Sequence, residues 1–157
     1  MTSKPPKILV KRGDDFRLDM TIQDLNNDAA IASKAAMDAA QAAYDAALAA
    51  DPQVPADTTT TYNALVAAQA AYADDIVVDI SSWTITSKLA WAGKLISNFT
   101  VVIVDGPAGN FSVRLGNSET ALWKPRSYDM DVQFVRAEGK VSSETFMVIV
   151  EKDITNG

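Results

Sequence analysis

Two periodicities divide the chain. Phe16, Leu18, Met20 and Ile22 alternate with Arg17, Asp19, Thr21 and Gln23. That period of two marks a β-strand with one buried face. A short strand at Ile8–Val10 precedes it, and Lys11–Asp15 turns the chain between them. From Asn26 to Asp75 the alternation stops, and it returns at Ile76. Val77–Ile80 is expected to re-enter the sheet. Trp83, Ile85, Ser87, Leu89 and Trp91 alternate with Thr84, Thr86, Lys88 and Ala90, and Gly93-Lys94 marks a turn. Phe99, Val101 and Ile103 form the next apolar face, followed by the turn cluster Asp105–Asn110 and a short strand through Phe111, Val113 and Leu115. Asn117–Trp123 reads as a helical turn capped by Asn117 or Ser118. Tyr128, Met130, Val132 and Phe134 then alternate with polar Asp129, Asp131 and Gln133. Glu138–Lys140 turns the chain into one last strand, Val141–Val150, with Gly139 supplying the backbone freedom.

The interrupting segment has another logic. Residues 29–50 are dominated by alanine, the best helix former, with scattered Lys, Asp, Gln and Tyr and no Gly or Pro inside. Asn27 or Asp28 can cap this helix. Asp51–Pro55 ends it, and a second helix is predicted over Thr58–Asp74, capped by Asp57 or Thr58. Met37 and Tyr44 lie one heptad apart, with Ala30, Ser33, Ala40 and Ala47 on the same side. In the second helix the larger residues are Tyr62, Leu65, Val66, Gln69, Tyr72 and Ile76, close to a 3.5-residue spacing. Two helices joined by a short Pro-rich loop predict an antiparallel helical hairpin.

About seven strands with turns at this spacing predict a mainly β chain, an immunoglobulin-like antiparallel β-sandwich, with the helical hairpin inserted. Tyr128, after a Pro-containing corner, resembles the tyrosine that pins a corner of such sandwiches. The expected organisation is a sandwich domain over 7–25 and 76–155, a helical insert over 26–75 and a flexible tail over 1–6.

Composition narrows the chemistry. Among 157 residues there is no cysteine and no histidine, and the net charge is −6. Disulfides, thiolate chemistry, the usual neutral-pH base and the commonest transition-metal ligand are therefore missing. The negative charge argues against nucleic acid as partner. No apolar run approaches the roughly 20 residues of a membrane span, and Met1–Val10 lacks the apolar core of a signal peptide.

The stretches Arg12–Phe16, the amphipathic strand that continues to Asp24, Asp79–Thr86, Trp123–Gln133, Gly139 and Val148–Thr155, taken in order, resemble a bacteriophage domain. They are similar to the immunoglobulin-like N-terminal domain of baseplate upper proteins and related small structural proteins of tailed phages. The resemblance covers most of the chain outside Asn26–Asp75, where that family has a short turn. It implies a role in virion assembly, residence in the virion, other virion proteins as partners and no catalysis.

The remaining motifs have plain structural readings. Arg12-Gly13-Asp14 is the integrin tripeptide, and it also suits a turn after a strand. Asp14/Asp15, Asp74/Asp75 and Asp129/Asp131 are the carboxylate pairs; none lies in an Asp-rich loop of the calcium-binding form. Gly106 and Gly109 precede a strand, so they make a turn and not a phosphate loop. Trp83, Trp91 and Trp123 suit either sugar stacking or core packing. No catalytic, cofactor or metal residues are assigned. The interface candidates are Met37, Tyr44, Leu48, Tyr62, Leu65, Tyr72 and Trp123. The leading expectation is a non-enzymatic virion structural protein that self-associates, as a trimer or other ring, through the helices. The alternative is a receptor- or carbohydrate-binding module of a host-recognition device using exposed aromatics.

Overall fold

The structure, a computed structural model, describes residues 5–50, 55–142 and 145–152. The expected Pro-rich loop over 51–54, most of the tail and the closing residues 153–155 lie outside the described residues. Pro6, assigned to the tail, accepts a hydrogen bond from Met147 N (2.9 Å).

The chain divides into two compact units. One runs to Thr21 and resumes at Asp79, and the other is Ile22–Val78. The first is mainly β. Its strands are β1 (Lys7–Lys11), β2 (Phe16–Thr21), β3 (Thr84–Trp91), β4 (Lys94–Asp105), β5 (Asn110–Leu115), β6 (Ser127–Arg136), β7 (Gly139–Ser142) and β8 (Phe146–Glu151). They form one sheet in the order β1-β8-β6-β3-β4-β5-β2, with β7 beside β6. The two edge strands are successive in sequence and joined only by Arg12–Asp15, so the sheet curls until it is nearly closed into a barrel. β4 makes this possible. Its first half pairs with β3 and its second half with β5, so one long strand carries the sheet around a corner.

Three details depart from the expected pattern. β1 pairs parallel with β8, so the sheet is mixed and not wholly antiparallel. Val77–Ile80 forms no strand; Val77 makes an isolated bridge to Gln23, and β2 stops at Thr21. The strand expected over Val141–Val150 is two strands. β7 pairs with the end of β6 (Gln133↔Ser142) and β8 with its start (Met130↔Phe146), in registers offset by one residue. The offset is what one extra residue in the second strand produces, and an apolar-alternation rule does not see it.

The alternating faces meet inside. Leu89, Phe111, Val113, Met130, Val132 and Val148 are buried, with Ile85, Tyr128 and Val150. One aromatic group joins Phe16, Phe99, Trp123 and Tyr128, with Phe16 and Phe99 ring centres 4.9 Å apart and Trp123–Tyr128 at 6.1 Å. A second joins Phe134 to Phe111 (5.9 Å) and Trp83 (6.0 Å). Phe134 and Met20, expected in the core, are half-buried. A short helix, α3 (Asn117–Thr120), follows β5. Neither Asn117 nor Ser118 caps it: Gly116 stands at its N-cap, and Asp15 Oδ1 accepts the Asn117 N–H (2.8 Å). The Tyr128 hydroxyl accepts from Lys124 N and donates to Lys124 O, both at 2.9 Å, which ties the chain corner at Pro125 to the core.

The second unit holds α1 (Asp28–Ala50) and α2 (Pro55–Asp75). α2 begins before the expected caps, with Pro55 in the first turn, where a missing N–H costs nothing. Ala30, Ser33, Met37, Ala40, Tyr44 and Ala47 are the less exposed positions of α1, the side read from its heptad spacing and here called its seam. The corresponding positions of α2 are Thr58, Thr61, Leu65, Ala68, Tyr72 and Asp75. Tyr62, Val66 and Gln69 therefore sit outside that seam, because following side-chain bulk instead of the strict three-four step rotates the face.

Asn27 joins both ends of this unit. Its Oδ1 accepts from Ala30 N (2.7 Å), capping α1, and its Nδ2 donates to Asp24 O (2.8 Å) and Asp75 O (3.0 Å). Asp24 N also donates to Ile76 O (2.9 Å), so the chain enters and leaves the unit side by side.

Candidate binding surfaces

Interface candidates on the helices fall into two groups. Met37, Tyr44 and Tyr72 are half-buried and Leu65 is only 5% exposed, all on the seam positions. Leu48 and Tyr62 remain 45% and 51% exposed. The Tyr62 ring still lies 5.7 Å from Tyr44, so one edge packs while the other faces solvent. Ile31 and Val66, the first not singled out in the sequence, are exposed as well. Lys34 Nζ bonds Asp38 at 2.8 Å along one helix face, and that hydrogen bond raises the lysine pKa.

Trp123 is not a surface residue. It is 2% exposed, and its Nε1 donates to Ser97 Oγ (3.0 Å). Its aromatic neighbours Phe16, Phe99 and Tyr128 explain the burial. Trp83 is half-buried against Phe134, with the Arg136 guanidinium 5.2 Å from its ring centre. Trp91 is the exposed tryptophan, and Arg126 lies over it at 4.3 Å. A guanidinium over an indole face is a cation–π contact.

The Arg12-Gly13-Asp14 turn is held by the segment around α3. Gly13 has φ +87°, Arg12 Nε donates to Ala121 O (2.8 Å), and Thr120 Oγ1 donates to Asp14 O (2.6 Å). The arginine of the tripeptide thus has a structural task. Thr120 is fully buried, which makes this junction part of the fold.

The outer face of β2, β5 and β4 carries the densest polar arrangement. Arg17 stands opposite Arg114, and Arg114 opposite Thr100. In the next row Asp19 faces Ser112 and Ser112 faces Val102; beyond it Thr21 donates to Asn110 Oδ1 (2.6 Å). Arg17 Nε reaches both Asp19 oxygens (3.0 and 3.1 Å), and Arg114 Nε donates to Ser112 Oγ (3.0 Å). The Arg17 bond, with a second from Ser112, holds the Asp19 carboxyl below its ordinary value. Ser112 is fully buried beneath this network. Beside it opens a groove of about 410 Å³ lined by Arg17, Thr100, Arg114, Asp15 and Glu119 among others. The alternation placed these residues outward, but only the strand pairing brings Arg17 and Arg114 together across the sequence. A smaller slot of about 310 Å³ follows the open seam between β1 and β2.

The carboxylate pairs are not brought into one cluster. Asp129 and Asp131 lie on the outer face of β6, where Thr145 Oγ1 donates to Asp131 Oδ1 (2.8 Å). Asp79 accepts from both Ser81 N and Ser81 Oγ, which lowers its pKa. Among the described residues no group of three potential metal ligands occurs, and no helix is long and apolar enough to cross a membrane. No protein-family model matches the chain, and no curated protein matches it significantly.

Proposed function

We propose that this protein is a non-enzymatic structural component of a tailed-phage virion, acting through assembly with other virion proteins and with copies of itself. The finer fold reading belongs to the same proposal: an immunoglobulin-like β unit with an inserted antiparallel helical hairpin. Three observations support it. The stretches that carry the phage resemblance fall in the β unit, apart from Ile22–Asp24. Its Tyr128 hydroxyl turns back to the backbone four residues upstream, as the corner tyrosine of such domains does. In the other unit, Asn27 beside Asp75 and Tyr44 beside Tyr62 are the pairings expected of two antiparallel helices.

The observation that carries the assembly role is the surplus of apolar surface on the helices. A seam rich in alanine and threonine buries little area, yet Ile31, Leu48, Tyr62 and Val66 stay exposed on two otherwise polar or alanine faces. Repetition about a symmetry axis covers such residues without any new sequence, and a trimer or ring is the expected form.

Sedimentation at micromolar concentration tests this. An oligomer is expected, and Leu48→Ser with Tyr62→Ser should dissociate it while the helix signal persists. Substitutions at Tyr44 or Leu65 are less suited, because those side chains belong to the seam. A clean monomer rejects self-association of the chain by itself.

A further inference from the structure

We propose that the groove beside Arg17 and Arg114 binds an acidic saccharide: the sugar carboxylate meets the two guanidinium groups, and its hydroxyls meet Asp15, Thr100 and Glu119. The paired strands carry an electrostatic imbalance. Strand register sets Arg17 directly opposite Arg114, and like charges in that position disfavour the sheet. Asp19 compensates one of them, because Arg17 Nε bonds its carboxylate. Arg114 Nε is held by the hydroxyl of Ser112, a neutral group. Two guanidinium groups thus share one carboxylate within the network.

Geometry adds a second point. Both arginines are held through Nε. A guanidinium fixed at that edge keeps its terminal Nη pair as a planar fork, the arrangement that takes a carboxylate through two parallel bonds. Asp19 and the buried Ser112 act as positioning residues for that fork.

The groove's other residues select the ligand class. Asp15 and Glu119 contribute carboxylates to the lining, with the Thr100 hydroxyl between cation and acceptor chemistry. Inorganic phosphate, partly a dianion near neutral pH, or a strongly acidic peptide brings more than one negative charge and is repelled by these carboxylates. A sugar acid brings one carboxylate and a ring of hydroxyl donors, so it satisfies both kinds of residue. A volume of about 410 Å³ lies within the range of small-ligand sites. This inference does not depend on the assembly role.

The test is a titration of the ¹⁵N-labelled full chain, followed by amide shifts, with sodium glucuronate, glucose and inorganic phosphate as separate probes. Glucuronate is expected to give saturable, millimolar shifts at residues 15–17, 100 and 114–119. Glucose should give none, and phosphate should bind about tenfold more weakly or worse. Arg17→Gln and Arg114→Gln should each weaken glucuronate about tenfold while the amide spectrum away from the groove stays native, and Arg114→Lys should not restore it, because lysine lacks the fork. Glu119→Gln should weaken glucuronate and strengthen phosphate. The proposal is overturned if glucuronate gives no saturable shift, if phosphate binds as well as glucuronate, or if Arg114→Gln leaves glucuronate binding intact.

Discussion

Asn27 offers a direct measurement of what holds the helical unit shut. Its side chain makes three bonds: the cap to Ala30 N and two donations, to Asp24 O and Asp75 O. Asn27→Ser keeps a capping oxygen and removes both amide donors. Two part-exposed hydrogen bonds, at about 0.5–1.5 kcal/mol each, give an expected loss of about 1–2 kcal/mol. Asn27→Ala also removes the cap, for about 1 kcal/mol more. The chain separates the readouts by composition. All three tryptophans lie in the β unit, and the two long helices lie in the other. Denaturation followed by circular dichroism at the helix band therefore tracks the helical unit, and tryptophan fluorescence tracks the β unit. Both variants should shift the first transition and leave the second in place. An Asn27→Ser protein within about 0.3 kcal/mol of the parent would show that the amide donors contribute nothing net, against the value expected of such bonds.

Three further outcomes are expected. Gly106→Ala should cost about 1–3 kcal/mol by overpacking, because a Cβ there would lie 2.8 Å from Ser81 Cα; a neutral effect on the tryptophan transition would contradict that contact. Ala92→Asn should stabilise the β unit by about 0.5–1 kcal/mol, since Ala92 has φ 49° beside Gly93 at φ 75° in the β3–β4 turn, and asparagine tolerates that conformation better; an unchanged or lower denaturation midpoint would refute it. Asp19 should titrate below its ordinary 3.8, keeping its bonds to Arg17 and Ser112 above that pH and losing them as pH falls through the depressed value; an Arg17 Nε shift with its midpoint at or above 3.8 would refute this.

Local pattern carried much of this fold. Alternation in Phe16–Met20, Ile85–Leu89 and Tyr128–Val132 identified strand faces because a half-buried strand writes its environment into every second residue. The heptad step through Ala30, Met37 and Tyr44 did the same for α1. What pattern missed depends on pairing. Nothing in Lys7–Lys11 states that it runs parallel to β8, and nothing in Val141–Val150 marks the offset that splits it. Trp123 reads as an interface candidate in the sequence because Lys124 and Arg126 beside it suit a contact rim; its burial follows from Phe16 and Phe99, which are distant in sequence. The Arg17–Arg114 groove was hidden for the same reason. Each arginine reads alone as a solvated outward residue, and only the β2–β5 register makes a pair of them.

The two units answer to different kinds of energy, and this sets what a single substitution does in each. The β unit buries Phe111, Leu89, Met130, Tyr128 and Trp123, so its stability comes from large side chains that share the load. The helical unit has little of that. Its helices, of 23 and 21 residues, span about 30–35 Å, but their seam is mostly alanine, serine and threonine. Helix propensity, the Asn27 clip and a few large seam residues supply the rest. Leu65, at 5% exposed, is the most buried large side chain of α2. Leu65→Ala should therefore remove about 2–4 kcal/mol from a unit with little in reserve, enough to melt the helices while the tryptophan signal remains native. If instead the helix band survives Leu65→Ala with its midpoint unchanged, packing at Leu65 is not what holds α1 to α2, and the Asn27 bonds with helix propensity carry the unit.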